Sequence, residues 1–170
     1  MRPVLQENCG FTLENVSASE LAALQHILTD ADTASSPEAK KRLLPPGFTG
    51  ETASPEDNAD WSEYVHPDLE ELFKGDLTRL SQDLQAATEV EEEYLITITG
   101  ENSERWFRAL NQARLVMHTK YDFPDEDTLS EEDHMVTITA LLQSGEFAPY
   151  LRSRLYADLQ EWIVAHCLKY

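Results

Sequence analysis

The sequence contains few of the residues that build a disulfide framework, a zinc site or a membrane anchor. It has two cysteines among 170 residues, Cys9 and Cys167. Two cysteines make no disulfide framework and no four-cysteine zinc set, which favours a reducing compartment. The first residues include no apolar run typical of a signal peptide, and nowhere do the roughly 18 consecutive apolar residues of a membrane span occur. We therefore expect a cytoplasmic protein that does not enter a membrane.

Basic residues are also scarce. Lysine and arginine together number 13 against 32 aspartates and glutamates, which gives a formal net charge of −19. Residues 51–100 alone carry 14 acids and 2 bases, a net charge of −12. Such a field repels phosphate backbones and anionic lipids, because both are bound mainly through lysine and arginine. Direct binding of nucleic acid or membrane is therefore disfavoured, and a basic protein partner is favoured.

The sequence motifs of common enzyme classes are missing as well. No glycine-rich phosphate loop, HExxH, nucleophile elbow or CxxC occurs. Two ExxH spacings, Glu63 with His66 and Glu131 with His134, each match half of a di-iron motif. Neither lies on an apolar face, which an inward-facing metal site requires. We expect no catalytic activity, no cofactor and no metal site, and we keep a metal-dependent enzyme as an alternative.

The apolar pattern predicts a mainly α fold in one domain over residues 1–170. Alternation and a β-branched run predict strands at 11–16 and 94–99, which we expect to pair because a lone strand leaves its backbone groups unsatisfied. Helical periodicity, capping residues and the prolines Pro37, Pro55 and Pro67 predict the helices. The predicted bounds are about 17–30, 37–44, 55–64, 67–88, 102–120, 130–144 and 147–168. The predicted architecture is a helical bundle with a small two-stranded β-sheet.

The stretch RWFRALNQARLVMHTKYDF, residues 105–123, concentrates four of the thirteen basic residues in one helix. At helical spacing its apolar residues form one arc, which is predicted to face the core. That arc contains Trp106, Leu110, Ala113 and Met117. The opposite arc mixes basic, amide and apolar side chains and supplies our candidate partner-binding residues. These are Arg105, Arg108, Asn111, Leu115 and His118.

Two interpretations of this mixed arc stay open. An external protein can dock there, because arginine beside an apolar residue is a frequent composition of interface hot spots. Alternatively, the acidic helix 67–88 or the C-terminal helix covers the arc and pairs with its arginines inside the fold. The acids available for such pairing are Glu70, Glu71, Asp76 and Asp83. The sequence also leaves a homodimer open.

Three segments resemble a bacterial family of unknown function. They are RLLPPGF at 42–48, the acidic DLEELFKGDL, and the helix RWFRALNQARL, within a resemblance that covers nearly the whole chain. The matched positions are Arg42, Leu43, Leu44, Pro45, Trp106, Arg108, Ala109, Leu110, Asn111, Arg114 and Leu115. The resemblance implies actinobacterial relatives that are often encoded beside the Clp-protease adaptor, some of them labelled transcription regulators with a redox-linked role. Met117 and His118 depart from the family helix, where a Leu-Gly pair is usual.

From these observations we predict a cytoplasmic regulatory or interaction protein that acts through protein contacts. The alternative implied by the resemblance is a transcription regulator with a redox-linked role. A redox switch needs thiols that can meet or a thiol of low pKa, and the two cysteines lie far apart in the sequence. We expect Cys9 to be a loop thiol near the first strand and Cys167 to pack against the bundle.

Overall fold

The structure, a computed structural model, describes residues 1–48, 54–123 and 131–168. The described strands are β1 (Arg2–Leu5), β2 (Phe11–Val16), β3 (Thr88–Val90) and β4 (Glu93–Ile98). The described helices are α1 (Ala18–Gln25), α2 (Ile27–Asp30), α3 (Pro37–Leu43), α4 (Pro55–Tyr64), α5 (His66–Gln85), α6 (Gly100–Tyr121), α7 (Glu131–Ser144) and α8 (Phe147–His166). Short 3₁₀ turns lie at Glu7–Cys9 and Thr33–Ser35. The protein is mainly α, as predicted.

The sheet has four antiparallel strands in the order β1-β2-β4-β3, so the prediction of a two-stranded sheet is wrong. The predicted pair forms its centre, with Phe11 opposite Ile98. β1 escapes prediction because Pro3 lacks an N–H and is tolerated only at an edge or the start of a strand. β3 escapes prediction because its three residues are all exposed and show no apolar alternation.

A tight hairpin explains why the helix predicted over 67–88 ends earlier. α5 ends at Gln85, and Thr88 already belongs to β3. Glu91 and Glu92 join β3 to β4 with φ angles of 51° and 69°. Two successive residues in the left-handed region form a turn whose twist matches that of the paired strands.

The helix starts follow their capping residues. Ser17 and Glu20 form the reciprocal capping box at the start of α1. The segment predicted as one helix over 17–30 is instead two, α1 and α2, which meet at His26. Pro37 and Pro55 occupy the first turns of α3 and α4. Residue 130, the predicted start of the helix 130–144, lies outside the described residues.

α6 lies at the centre of the hydrophobic core. The predicted apolar arc is confirmed, because its four side chains are at most 1% exposed: Trp106, Leu110, Ala113 and Met117. Trp106 packs edge-on against Phe11 of the sheet, with ring centroids 6.0 Å apart. α5 and α8 pack along the other sides of α6. None of the described helices combines the length and apolar character needed to cross a bilayer.

Candidate functional site

The mixed arc of α6 is held against α5 by an ion pair. Arg108 donates from Nε to Asp76 Oδ2 at 2.6 Å and from Nη2 to Asp76 Oδ1 at 3.0 Å. It also donates to Glu104 on its own helix at 2.7 Å. The hydrogen bonds that Arg108 donates to Asp76 raise the pKa of the guanidinium, which therefore stays charged. Two interpretations of the mixed arc were open, an external partner and pairing within the fold. Arg108 follows the second, because it pairs with Asp76 of α5.

Two other acids of α5 are also engaged within the fold. Asp83, which is 6% exposed, accepts a hydrogen bond from the indole nitrogen of Trp106 at 3.0 Å. Arg79 pairs with the same carboxylate at 3.1 Å. Glu70 instead pairs on the surface with Lys40 of α3 at 2.8 Å. The acidic middle of the chain therefore supplies contacts within the fold as well as surface charge.

Leu115 and His118 are half-buried. Leu115 packs against a small cluster that α3 contributes to the underside of α6 through Ala39 and Leu43. The His118 ring meets Phe123 edge-on, with centroids 5.9 Å apart. α3 therefore covers Leu115, the apolar residue of the mixed arc.

Arg105 and Asn111 are exposed but face different neighbours. Arg105 borders a shallow groove along α5 that includes Gly75 and Arg79. Asn111 borders another groove against α8 that includes Gln160. The five candidate residues therefore do not form one continuous free surface. Partner binding by the two exposed ones stays a prediction.

The two cysteines approach each other beside Ser103. Cys9 ends the first 3₁₀ turn and is partly buried, and Cys167 follows α8 and is 6% exposed. The Ser103 hydroxyl donates to the backbone carbonyl of Cys9 at 2.7 Å, and it lies close enough to the Cys167 thiol to influence the pKa of that thiol. Burial raises the pKa of the Cys167 thiol, the Ser103 contact opposes that rise, and charge at Cys9 adds to it. Cys167 packs against the core, as expected, but the sequence did not predict this junction.

The backbone that carries Cys9 is held in an uncommon conformation. Asn8 and Cys9 have φ angles of 57° and 61°, in the left-handed region that residues with a side chain rarely adopt. The turn lies directly on Gly100, where a β-carbon would come within 1.9 Å of the Asn8 carbonyl oxygen. Glycine at the start of α6 therefore permits the approach of the turn that presents Cys9.

A third polar cluster joins α2 to α8. Arg152 donates two hydrogen bonds to Asp30, at 2.7 and 2.8 Å, and Tyr156 donates to the same carboxylate at 2.9 Å. Burial raises the pKa of the Tyr156 hydroxyl, and the Asp30 charge adds to this rise. The Tyr156 side chain is fully buried, so we assign the cluster a structural role.

An apolar surface remains open on the last two helices. Its members, each at least half exposed, are Met135 (66%), Val136 (65%), Leu142 (59%) and Leu151 (50%). We call these four residues the α7–α8 surface. The stretch MVTITALLQ, residues 135–143, contains no charged residue, although charged residues make up 26% of the chain. The structure therefore exposes four large apolar side chains on α7 and α8 of a strongly acidic protein.

The histidines show no arrangement for binding a metal in the part of the chain that is described. There, no group of three His, Cys, Asp or Glu side chains lies close enough to hold a metal ion. The His66 ring instead forms a hydrogen bond with the backbone carbonyl of Pro45, with 3.1 Å between Nε2 and the oxygen. The side chains of Glu131 and His134 fall outside the described set.

A model of one protein family matches residues 5–165, nearly the whole chain. The chain belongs to the DUF2017 family. Its description is a domain of unknown function, which confirms the sequence resemblance at that level. No curated protein and no solved structure matches this DUF2017 chain.

Proposed function

We propose that this DUF2017 protein is a cytoplasmic regulatory protein that acts through protein contacts and performs no catalysis. The observation that carries the proposal is the α7–α8 surface. Large exposed apolar areas are uncommon on monomeric proteins and often mark a contact with another molecule. The basic helix supports such a role less well, because Arg108 and Leu115 already have contacts inside the fold.

The charge of the protein specifies the chemistry of the partner. A net charge of −19 attracts basic proteins over long range and repels nucleic acid. Met135 and Leu142 are seven residues apart and therefore lie on one side of α7. The matching partner is an amphipathic helix with an apolar stripe flanked by lysine and arginine. In transcription, such a partner belongs to the polymerase or to another regulator rather than to DNA.

Site-specific photo-crosslinking in a native lysate tests the proposal. A photoreactive phenylalanine analogue replaces Leu142 in one variant and Tyr64, which is 67% exposed on α4, in a control variant. We expect position 142 to capture a basic protein, and we expect Leu151→Asp to abolish that adduct while the chain still unfolds cooperatively. Equal capture from both positions contradicts the proposal. Adducts between two copies of the chain instead assign the surface to a homodimer.

The cysteine junction supports a second function, a redox-linked transcription regulator. Ser103 bonds the backbone carbonyl of Cys9, and charge at Cys9 raises the pKa of the Cys167 thiol, so the two cysteines are close in the fold although they lie at opposite ends of the described chain. With hydrogen peroxide as oxidant, the more exposed Cys9 becomes a sulfenic acid and one water is released. The Cys167 thiol then attacks that sulfur, the disulfide forms, and a second water leaves. Such a bond ties the turn before β2 to the end of α8.

Peptide mapping under non-reducing conditions tests the redox hypothesis. After treatment with a stoichiometric amount of peroxide, we expect one intramolecular Cys9–Cys167 link and the loss of two hydrogen atoms in intact mass. The Cys167→Ser variant should stop at a Cys9 sulfenic acid that a dimedone-type reagent traps. A wild-type protein that forms only intermolecular links or overoxidised thiols contradicts the hypothesis.

A further inference from the structure

A cavity of about 430 Å³ lies between α3, the residues around α2, and the helices α5 and α6. Its volume falls within the range of small-ligand pockets, about 300–1,000 Å³. Half of its twelve lining residues are apolar. The apolar lining residues are Leu28, Ala31, Leu43, Leu44, Phe73 and Leu77.

Gln112 lines this cavity, and among the described residues its side-chain oxygen has no hydrogen-bond partner. Its side chain is 7% exposed, and its Nε2 donates to the Ala31 carbonyl at 3.2 Å, which fixes the amide. Its Oε1 is buried without a hydrogen-bond partner among the described residues. Buried polar atoms in native proteins are nearly always paired, so an unpaired acceptor in a cavity wall points to a donor that is absent from the protein itself.

Within the described part of the chain, the charged groups around the cavity leave one cation without an ion pair. Lys40 and Glu70 pair with each other at 2.8 Å. The Asp32 carboxylate accepts the Ala34 N–H at 2.9 Å. Lys74 also lines the cavity, is exposed, and has no ion pair within residues 1–48, 54–123 and 131–168. An anionic group that enters the cavity can therefore form an ion pair with the Lys74 ammonium.

We infer that the cavity binds a small carboxylic acid with an apolar body and a hydroxyl or N–H donor at the end opposite its carboxylate. The donor reaches Gln112 Oε1 and the carboxylate meets Lys74. The apolar body packs against side chains such as Leu43 and Phe73. This site is separate from the α7–α8 surface, so it adds ligand binding to the proposed regulatory function.

Calorimetry and ligand-observed NMR with matched probes test this inference. The probes are 4-hydroxyphenyl acids with one to three methylenes before the carboxylate, because this series covers different spans between the two polar ends. The matching phenyl acids lack only the donor, and the matching 4-alkylphenols lack only the carboxylate. We expect removal of the donor to weaken binding about tenfold. Removal of the carboxylate should weaken it about two- to fivefold, since Lys74 is exposed.

Variants of the protein identify which side chain binds the hydroxyl of the probe and which binds its carboxylate. Gln112→Met keeps the side-chain volume and should bind hydroxylated and unhydroxylated acids equally. Lys74→Gln should remove the preference for the carboxylate. Leu28→Trp fills the cavity from a position that is 43% exposed, so the core is left intact and binding should be lost. Leu5→Trp makes the same change on β1, outside the cavity and at a similar exposure of 47%, and this variant should bind the probes as wild type does.

Three outcomes overturn the inference. The first is the absence of saturable binding by every member of the hydroxyphenyl series, which would mean that only water occupies the cavity. The second is binding that Leu28→Trp leaves unchanged, which places the probes elsewhere. The third is a preference for the hydroxyl that persists in a folded Gln112→Met variant, because Gln112 is then not its acceptor.

Discussion

Asp76 and Arg108, which lie 32 positions apart in the chain, join α5 to α6 through two parallel hydrogen bonds. The Asp76 side chain is only 2% exposed, whereas the Arg108 side chain is 27% exposed. The carboxylate therefore depends on the guanidinium to compensate a charge that has lost most of its water. Through this pair, Arg108 of the mixed arc contacts α5 of the same protein.

Removal of the guanidinium should destabilise the fold. Arg108→Ala leaves the Asp76 carboxylate buried and unpaired, and we expect the free energy of unfolding to fall by about 3–5 kcal/mol. Urea unfolding followed by tryptophan fluorescence measures the change. Arg105→Ala, on the same helix but exposed, should change the free energy by less than about 0.5 kcal/mol.

A double variant separates the ion pair from the packing of its side chains. Asp76→Leu combined with Arg108→Met removes both charges while keeping similar volumes. Apolar replacements of a buried pair are often neutral, so we expect the double variant to be more stable than Arg108→Ala. If the midpoint of urea unfolding of Arg108→Ala equals that of the wild type, the ion pair does not stabilise the fold.

Tyr156 should contribute to stability through its hydroxyl. The hydroxyl lies 2.9 Å from both Asp30 Oδ2 and the Ala23 carbonyl oxygen. Tyr156→Phe keeps the ring but leaves a buried acceptor without this donor, so we expect a loss of about 1–3 kcal/mol. Thermal unfolding at neutral pH measures the loss. Tyr64→Phe is the matched control, since Tyr64 is 67% exposed, and it should have no effect.

The same hydroxyl should make stability depend on alkaline pH. Burial raises the pKa of Tyr156 in the folded protein, whereas an unfolded tyrosine titrates near pH ~10. Above that pH the unfolded chain loses the proton while the folded chain keeps it, so the free energy of unfolding falls as pH rises. Below it both states are protonated and this contribution is constant. Unfolding curves between pH 8 and 11 should therefore slope less steeply for Tyr156→Phe, and parallel slopes contradict this assignment.

The sequence predicted the core of α6 but not what covers its other side. Helical spacing of Trp106 and Leu110 reports which side of a helix is apolar, and the structure confirms it. The spacing of residues along one helix does not show which helix packs against it. The sequence therefore named Asp76 only as one of four acids that could pair with the arginines of α6. Its pairing with Arg108 depends on how α5 packs against α6, which is a tertiary property.

Only part of the cysteine junction could have been predicted from the sequence. Pairing of the two predicted strands was expected, and antiparallel pairing of Phe11 with Ile98 brings the residues before β2 beside the residues after β4. Cys9 could therefore have been placed near Ser103 at the start of α6. Cys167 could not, because its position depends on the docking of α8 against α6.

Two glycines in helices should respond in opposite directions to the same substitution. At Gly100 a β-carbon meets the Asn8 carbonyl oxygen at 1.9 Å, so we expect Gly100→Ala to cost about 1–3 kcal/mol. At Gly75 in α5 nothing lies within 4 Å, so Gly75→Ala should add about 0.5–1 kcal/mol through helix propensity and reduced unfolded-state entropy. Chemical denaturation of the two variants provides the comparison. Equal effects would show that the turn bearing Cys9 does not press on α6.

The two thiols should react with iodoacetamide at different rates in the reduced protein. Cys9 is partly exposed, whereas Cys167 is 6% exposed and burial raises its pKa, so fewer thiolates are present and access is poor. At pH 8 we expect alkylation of Cys167 to be at least about tenfold slower, because it requires local opening at the end of α8. Mass spectrometry of peptides sampled over time measures both rates, and denaturant should make them similar. Comparable rates in the folded protein would place the Cys167 thiol outside the core, and the junction at Ser103 would then lose its main support.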